Sequence, residues 1–139
     1  MESGLLQPWN TAGLDGLYSV QLVVVKNDPN GGPFQFETST IQVTVDNQPP
    51  TARLLTPLPG DAFTAEDDES VVIQAEAEDN LSLASVVFHV DGVPVGTATV
   101  APYSTRWRIA GVGPHTVHVR AFDAAGNFVD SERVTIVVE

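Results

Sequence analysis

Residues 9–47 and 107–138 carry one pattern twice. The first pass runs Trp9, Gly16, Tyr18, an alternating Val-rich stretch, a polar break, and Thr40-Ile41-Gln42-Val43-Thr44-Val45. The second runs Trp107, Gly113, His115, an alternating stretch, a polar break, and Glu132-Arg133-Val134-Thr135-Ile136-Val137-Val138. A repeat at this spacing denotes tandem β-domains. The second pass has a full set of strand-like segments in front of it and the first has almost none. The first domain is therefore expected to be cut in half.

Period-two alternation runs through most of the sequence, and no stretch keeps apolar residues at helical spacing without a Gly, a Pro or a β-branched run breaking it. Strands are expected near 17–26, 38–46, 51–56, 70–78, 83–91, 95–100, 103–109, 115–122 and 131–138. Asp91-Gly92, between Phe88-His89-Val90 and Val93-Pro94-Val95, predicts a two-residue hairpin turn with positive φ at both centres. Gln48-Pro49-Pro50 reads as a short linker stiffened by its prolines. Residues 1–47 are then the C-terminal strands of an incomplete domain, 48–50 the linker, and 51–139 a complete one.

Seven strands from Thr51 onward, joined by turns every 8–12 residues, predict an all-β, immunoglobulin-like sandwich. Its core should take Val71, Ile73, Ala75 and Ala77, then Val86, Phe88 and Val90, then Val117, Val119 and Ala121, and finally Val134, Ile136 and Val138. Trp107 should join them, hiding roughly 150–250 Å². By analogy with the second copy, residues 9–45 supply three strands whose apolar face has no cover. A lone hairpin is marginal in water. This fragment is expected to cover itself on the second domain or by pairing with another copy of the chain, so self-association through residues 1–47 is an expectation.

Composition excludes several functions. The 139 residues are 42% hydrophobic, enough for a packed core, and contain no cysteine, so neither a disulfide nor a thiolate metal site can form. Eighteen acids against six bases give a net charge of −12, and both halves are acidic. Such a field repels phosphate backbones and anionic lipid. No apolar run approaches the length that spans a bilayer. Met1-Glu2-Ser3 is not a signal peptide, and an exported parent is expected to carry its export signal elsewhere.

No catalytic constellation is present. The sole lysine, Lys26, has Val23 three residues before it, so there is no Ser-x-x-Lys, and Gly-x-Ser-x-Gly, P-loop and His-Glu-x-x-His motifs are missing as well. His89 and His118 are expected on the outer face of neighbouring strands, solvent-facing and without a third ligand for a metal; His115 completes the histidines. Asp79, Asp123 and Asn127 are the candidates for Ca²⁺, which takes oxygen ligands from loops. The competing reading is that these side chains close turns on backbone N–H groups, with no ion or other cofactor bound. Asp46-Asn47 at the junction is read in the same two ways. Glu66-Asp67-Asp68-Glu69 reads as a solvated loop. Trp9, Tyr103 and Phe122 could stack on a sugar, although packing in the core or at an edge suits each of them.

The segments Leu14-Asp15-Gly16-Leu17-Tyr18-Ser19-Val20-Gln21-Leu22, Val86-Val87-Phe88-His89-Val90-Asp91-Gly92, Ala101-Pro102-Tyr103-Ser104 and Ala121-Phe122-Asp123-Ala124-Ala125-Gly126-Asn127 resemble bacterial Ig-like domains. That resemblance implies a non-catalytic, extracytoplasmic module. With Val43-Thr44-Val45-Asp46-Asn47-Gln48-Pro49-Pro50 added, the tandem is similar to the C-terminal Ig-like appendage of some class A penicillin-binding proteins. This implies a periplasmic or cell-surface piece of a peptidoglycan glycosyltransferase/transpeptidase whose catalytic residues lie in other domains. The expected role is a spacer or interaction domain, with cell-wall glycan or neighbouring protein domains as partners. A carbohydrate-binding or adhesion module is the alternative.

Overall fold

The computed structural model describes residues 7–139; the Met1-Glu2-Ser3 opening lies outside them. The chain divides into two compact units, residues 1–47 and 48–139.

In the first unit, β1 (Gly16–Lys26) and β2 (Gln35–Val45) form one long antiparallel hairpin, in register from Gly16↔Val45 to Lys26↔Gln35. Its described residues hold two strands where three were expected. Trp9 precedes the hairpin in irregular backbone and sets its ring edge-on against Tyr18, with centroids 5.6 Å apart. The segment between Trp9 and β1 is held as a loop by Asn47, whose side-chain amide donates to the Thr11 and Leu14 carbonyls, at 2.7 and 2.8 Å.

The second unit is a two-layer sandwich. One sheet runs β4 (Ala62–Phe63), β11 (Val134–Val138), β9 (Gly113–Asp123), β6 (Leu83–Val90) and β7 (Val93–Ala98), with β10 (Phe128–Asp130) also pairing β9. The other runs β3 (Thr51–Thr56), β5 (Ser70–Glu78) and β8 (Tyr103–Arg108). All pairings in this unit are antiparallel except β4 on β11. β4 and β10 were not expected; at two and three residues they are too short to show a period.

Alternation places the core as expected. Val71, Ile73, Ala75 and Trp107 from the smaller sheet meet Val86, Phe88, Val90, Val117, Val119, Ala121, Val134, Ile136 and Val138 from the larger. Ala77 packs against that cluster from a half-buried position. Trp107 is 8% exposed, and Phe88, Ile73 and Ile136 are fully buried. Asp91 and Gly92 take φ of +53° and +79°, the two positive values a tight primed turn demands. Where β7 passes β8, a Cβ on Gly96 would lie 2.2 Å from Thr105 Oγ1, so only glycine lets the layers approach there.

The path through the sandwich is polar in the geometric sense. At its start the Gln48 carbonyl accepts from Asn127 Nδ2 at 3.4 Å, beside the Asp123 end of β9. At its end Val138 pairs with Gly113, at the opposite end of the same strand. β9 has 11 residues, so entry and exit stand on the order of 33 Å apart at 3.3–3.4 Å per step.

Candidate functional site

A dense polar construction lies at the entry pole, where the β5–β6 turn meets the loop after β9. Asp79 Oδ2 accepts from the Leu81 and Ser82 amides, at 2.9 and 2.8 Å. Asp123 Oδ1 accepts from the Ala125 and Asn127 amides, at 2.9 and 2.8 Å, and Oδ2 accepts from Asn127 Nδ2 at 2.6 Å. Asn127 also returns its carbonyl to the Asp123 amide at 3.0 Å. Each carboxylate thus closes its own turn, as short acidic side chains do.

The two turns are not independent. A carboxylate oxygen of Asp79 and one of Asp123 lie within 4.8 Å of each other. Asp79 Oδ1 is buried without a hydrogen-bond partner, while Asp123 is 3% exposed. A cation there would meet hard oxygen donors, the set suited to Ca²⁺. The pair is not equipped for glycoside hydrolysis. Asp123 is closed off from solvent and both its oxygens are occupied, so a substrate oxygen has no approach to it. Asp79 and Asp123, expected at the ends of neighbouring strands, lie side by side, and Asn127 is bonded to Asp123.

Other candidates are distributed elsewhere. Asp46 follows β2 in the first unit and is half-buried. Glu66, Asp67 and Glu69 are exposed in a loop, and the half-buried Asp68 accepts from the Thr64 amide at 3.1 Å. Lys26 pairs with Glu37 at 2.7 Å on the exposed hairpin.

His89 and His118 are directly opposed on β6 and β9, as expected, but they are only in part open to solvent: His89 is half-buried and His118 is buried. Their rings stack at 4.7 Å with planes 8° apart, His118 is 5% exposed, and Nδ1 of each is buried and unpartnered. The stack removes one face of each ring from water, which period-two reasoning alone does not foresee. Burial, then the charges of His89 and Arg133, push the His118 imidazole below its usual pKa.

His115 sits in the opposite environment. Its Nδ1 is 2.7 Å from Asp91 Oδ2 and its Nε2 3.0 Å from the Gly111 carbonyl. Both neighbours are acceptors, so the doubly protonated ring suits the site. The Asp91 hydrogen bond raises the His115 pKa, and the reciprocal bond lowers that of Asp91. Asp91 Oδ1 meanwhile accepts from the Thr116 amide at 2.9 Å. Sequence reasoning found Asp91 as a turn residue but not as this partner, because 24 residues separate the two.

Of the aromatic candidates, Tyr103 is half-buried against the core, and Phe122 packs on Phe128 with centroids 5.7 Å apart. Trp9 is 47% exposed. The sequence reading missed Phe128, a 50% exposed ring with the Arg120 guanidinium 4.4 Å over it. Arg120 is itself held by Asp130 through two hydrogen bonds, at 2.7 and 2.8 Å.

Two packed sheets, a buried indole and alternating strands define an immunoglobulin-like β-sandwich module. The family described as bacterial Ig domain (Big_7) matches residues 50–119, just over half of the chain. The chain belongs to that family.

Among solved structures, the fibronectin(III)-like modules of Clostridium thermocellum CbhA are similar at a TM-score of 0.59 and 22% identity, covering 63% of this chain and 94% of that one. An engineered protein aligns at a TM-score of 0.47 and 18% identity, over 65% of this chain and 20% of that one. CopC from Methylosinus trichosporium OB3b aligns at 0.39 and 17%, over 64% and 94%. The first likeness concerns the fold alone, and the other two carry no further weight. No curated protein matches the chain. The penicillin-binding appendage expected from the sequence has no counterpart among these matches.

Proposed function

We propose that this chain is a non-catalytic, extracytoplasmic Ig-like module that acts as a spacer within a larger bacterial cell-wall protein. The observation that carries the reading is the pole-to-pole path, with Gln48 at the Asp123 end of β9 and Val138 at its Gly113 end. A module entered at one pole and left at the other adds its length to whatever it joins. Bacterial Ig domains are commonly extracellular and as a class non-catalytic, and the net charge of −12 suits a solvated surface module. The Asp15-Gly16-x-Tyr18 strand and the Val45-Asp46-Asn47-x-Pro49-Pro50 linker make a peptidoglycan-synthesising penicillin-binding protein the parent we propose.

One observation favours the alternative of a carbohydrate-binding or adhesion module: the exposed Phe128 ring, with Arg120 beside it. Sedimentation with insoluble peptidoglycan separates the two. A spacer stays in the supernatant. Co-sedimentation that Phe128→Ala abolishes overturns the spacer reading in favour of glycan binding.

The fold is further proposed to stand without Ca²⁺, because Asp79 Oδ2 and both oxygens of Asp123 are taken by their own turns. Melting with and without chelator should then coincide. A fall of many degrees on adding EDTA would instead place a structural cation at Asp79 Oδ1 and Asp123.

A further inference from the structure

The hairpin of the first unit and the β9–β11 pair of the second are built to one register. Gly16 pairs with Val45 and Gly113 with Val138; both glycines take φ of +115°. Two residues on, Tyr18 receives Trp9 edge-on at 5.6 Å, and His115 receives Trp107 at 4.8 Å. The equivalence then runs residue by residue: Val20 with Val117, Leu22 with Val119, Ile41 with Val134, Val43 with Ile136. Val117, Val119 and Ile136 are 0% exposed and Val134 is 8%. Val20, Leu22 and Ile41 are 38%, 47% and 59% exposed.

The sandwich shows what belongs on such a face. β6 bonds to the free edge of β9, and β5 and β8 supply Val71, Ile73, Ala75 and Trp107 across the core. All of these strands lie in residues 51–109, immediately before β9. The corresponding edge of β1 pairs with nothing among the described residues.

We propose that the β1–β2 hairpin is the closing half of a second sandwich, and that its open face and edge take an extended, alternating apolar half-sandwich from the polypeptide N-terminal to Trp9. One strand would add antiparallel to β1 as β6 does to β9. Others would lie over Tyr18, Val20, Leu22, Ile41 and Val43 as β5 and β8 lie over their counterparts. A second copy of the chain fits less well. Two hairpins face to face cover the apolar side chains but leave the β1 edge with unpaired N–H and C=O groups, and each copy's strands 51–109 are already committed to its own core. The proposal rests on the reading of the chain as part of a longer protein.

Amide hydrogen exchange tests it on the 139-residue chain and on the natural polypeptide lengthened by about 60 residues before Trp9, a stretch matching 51–109. In the longer protein, amides of β1 and β2 should exchange roughly a thousandfold more slowly than in the shorter one. Val20→Asp or Ile41→Asp should remove that protection while the 48–139 unit keeps its melting temperature. Gln21→Asp, on the other face, should leave it. Equal, fast exchange in both proteins overturns the proposal. So does protection in the 139-residue chain that grows with concentration, which would make a second copy the occupant. So does a natural polypeptide with no alternating strands before Trp9. The peptidoglycan experiment reads the 48–139 module, so either reading can fail without the other.

Discussion

The molecule contains one pair of strands in two states of completion. β9–β11 and β1–β2 share register, a glycine at φ +115°, and an indole set edge-on against the ring two residues after it. One pair has a sheet across it and a strand at its edge; within its own unit the other, among the described residues, has neither. The local elements form alike in both places, with the same register and the same glycine conformation. What the core adds is burial. Ile136 is sealed, and Ile41 on the corresponding strand is 59% exposed. Alternation specifies a face, and only a second layer converts it into stability.

The widest gap should appear at the two tryptophans. Trp107→Ala empties the centre of the sandwich and should cost about 3–5 kcal/mol, read as a lowered denaturant midpoint of the 48–139 unit. Trp9→Ala touches a ring 47% exposed and should move that midpoint by no more than about 0.5 kcal/mol. Equal losses would break the comparison. Next come the aliphatic positions. Ile136→Ala should cost about 2–5 kcal/mol in the same assay, and Ile41→Ala about 0.5 or less. A large loss at Ile41 would show that the hairpin is already covered in solution. Smaller again is the glycine pair. Gly113→Ala forces a side chain into φ +115° and should cost about 1–3 kcal/mol. Gly16→Ala carries the same strain but should leave the sandwich's melting temperature alone.

Much of this arrangement was legible in the sequence, because period-two alternation and turn chemistry are local. Val71, Ile73 and Ala75, or Val117, Val119 and Ala121, announce a buried face by position alone, and Asp91-Gly92 announces its turn. The candidate site was legible to the same depth: Asp79 and Asp123 each sit at a strand end where a carboxylate closes a turn. What local pattern cannot show is lateral contact. The His89–His118 stack, the Asp91–His115 bond and the Arg120–Phe128 contact join residues on different strands, and each depends on the register between them. β4 and β10 escaped notice because two or three residues give no period to read. Trp9 was assigned to a strand by analogy with Trp107, whereas Asn47 holds the segment after it in a loop.

The finest difference between the copies is in their response to pH. The repeat places Tyr18 where the sandwich has His115, and Gln21 where it has His118. The hairpin therefore lacks both imidazoles, and installing its residues in the sandwich isolates their effects. His115 has a folded pKa above its reference value of 6.5, through its bond to Asp91. Its contribution is full below pH 6.5 and is lost as pH rises through the folded value. His118 has a folded pKa below 6.5, from burial beside His89, Arg133 and Arg120, with Asp130 opposing. Its contribution is present above pH 6.5 and is lost as pH falls through the window below that value. His118→Gln should thus flatten the acid side of the melting-temperature profile between pH 6.5 and the native value. His115→Tyr should remove the decline that begins above pH 6.5 and leave the His118 limb just below pH 6.5 in place, while the Asp91 contribution at lower pH shrinks with the loss of its partner. If the acid limb survives His118→Gln, the proton uptake that weakens the sandwich belongs to another group, and His118 adds no more to it than the glutamine of the first copy.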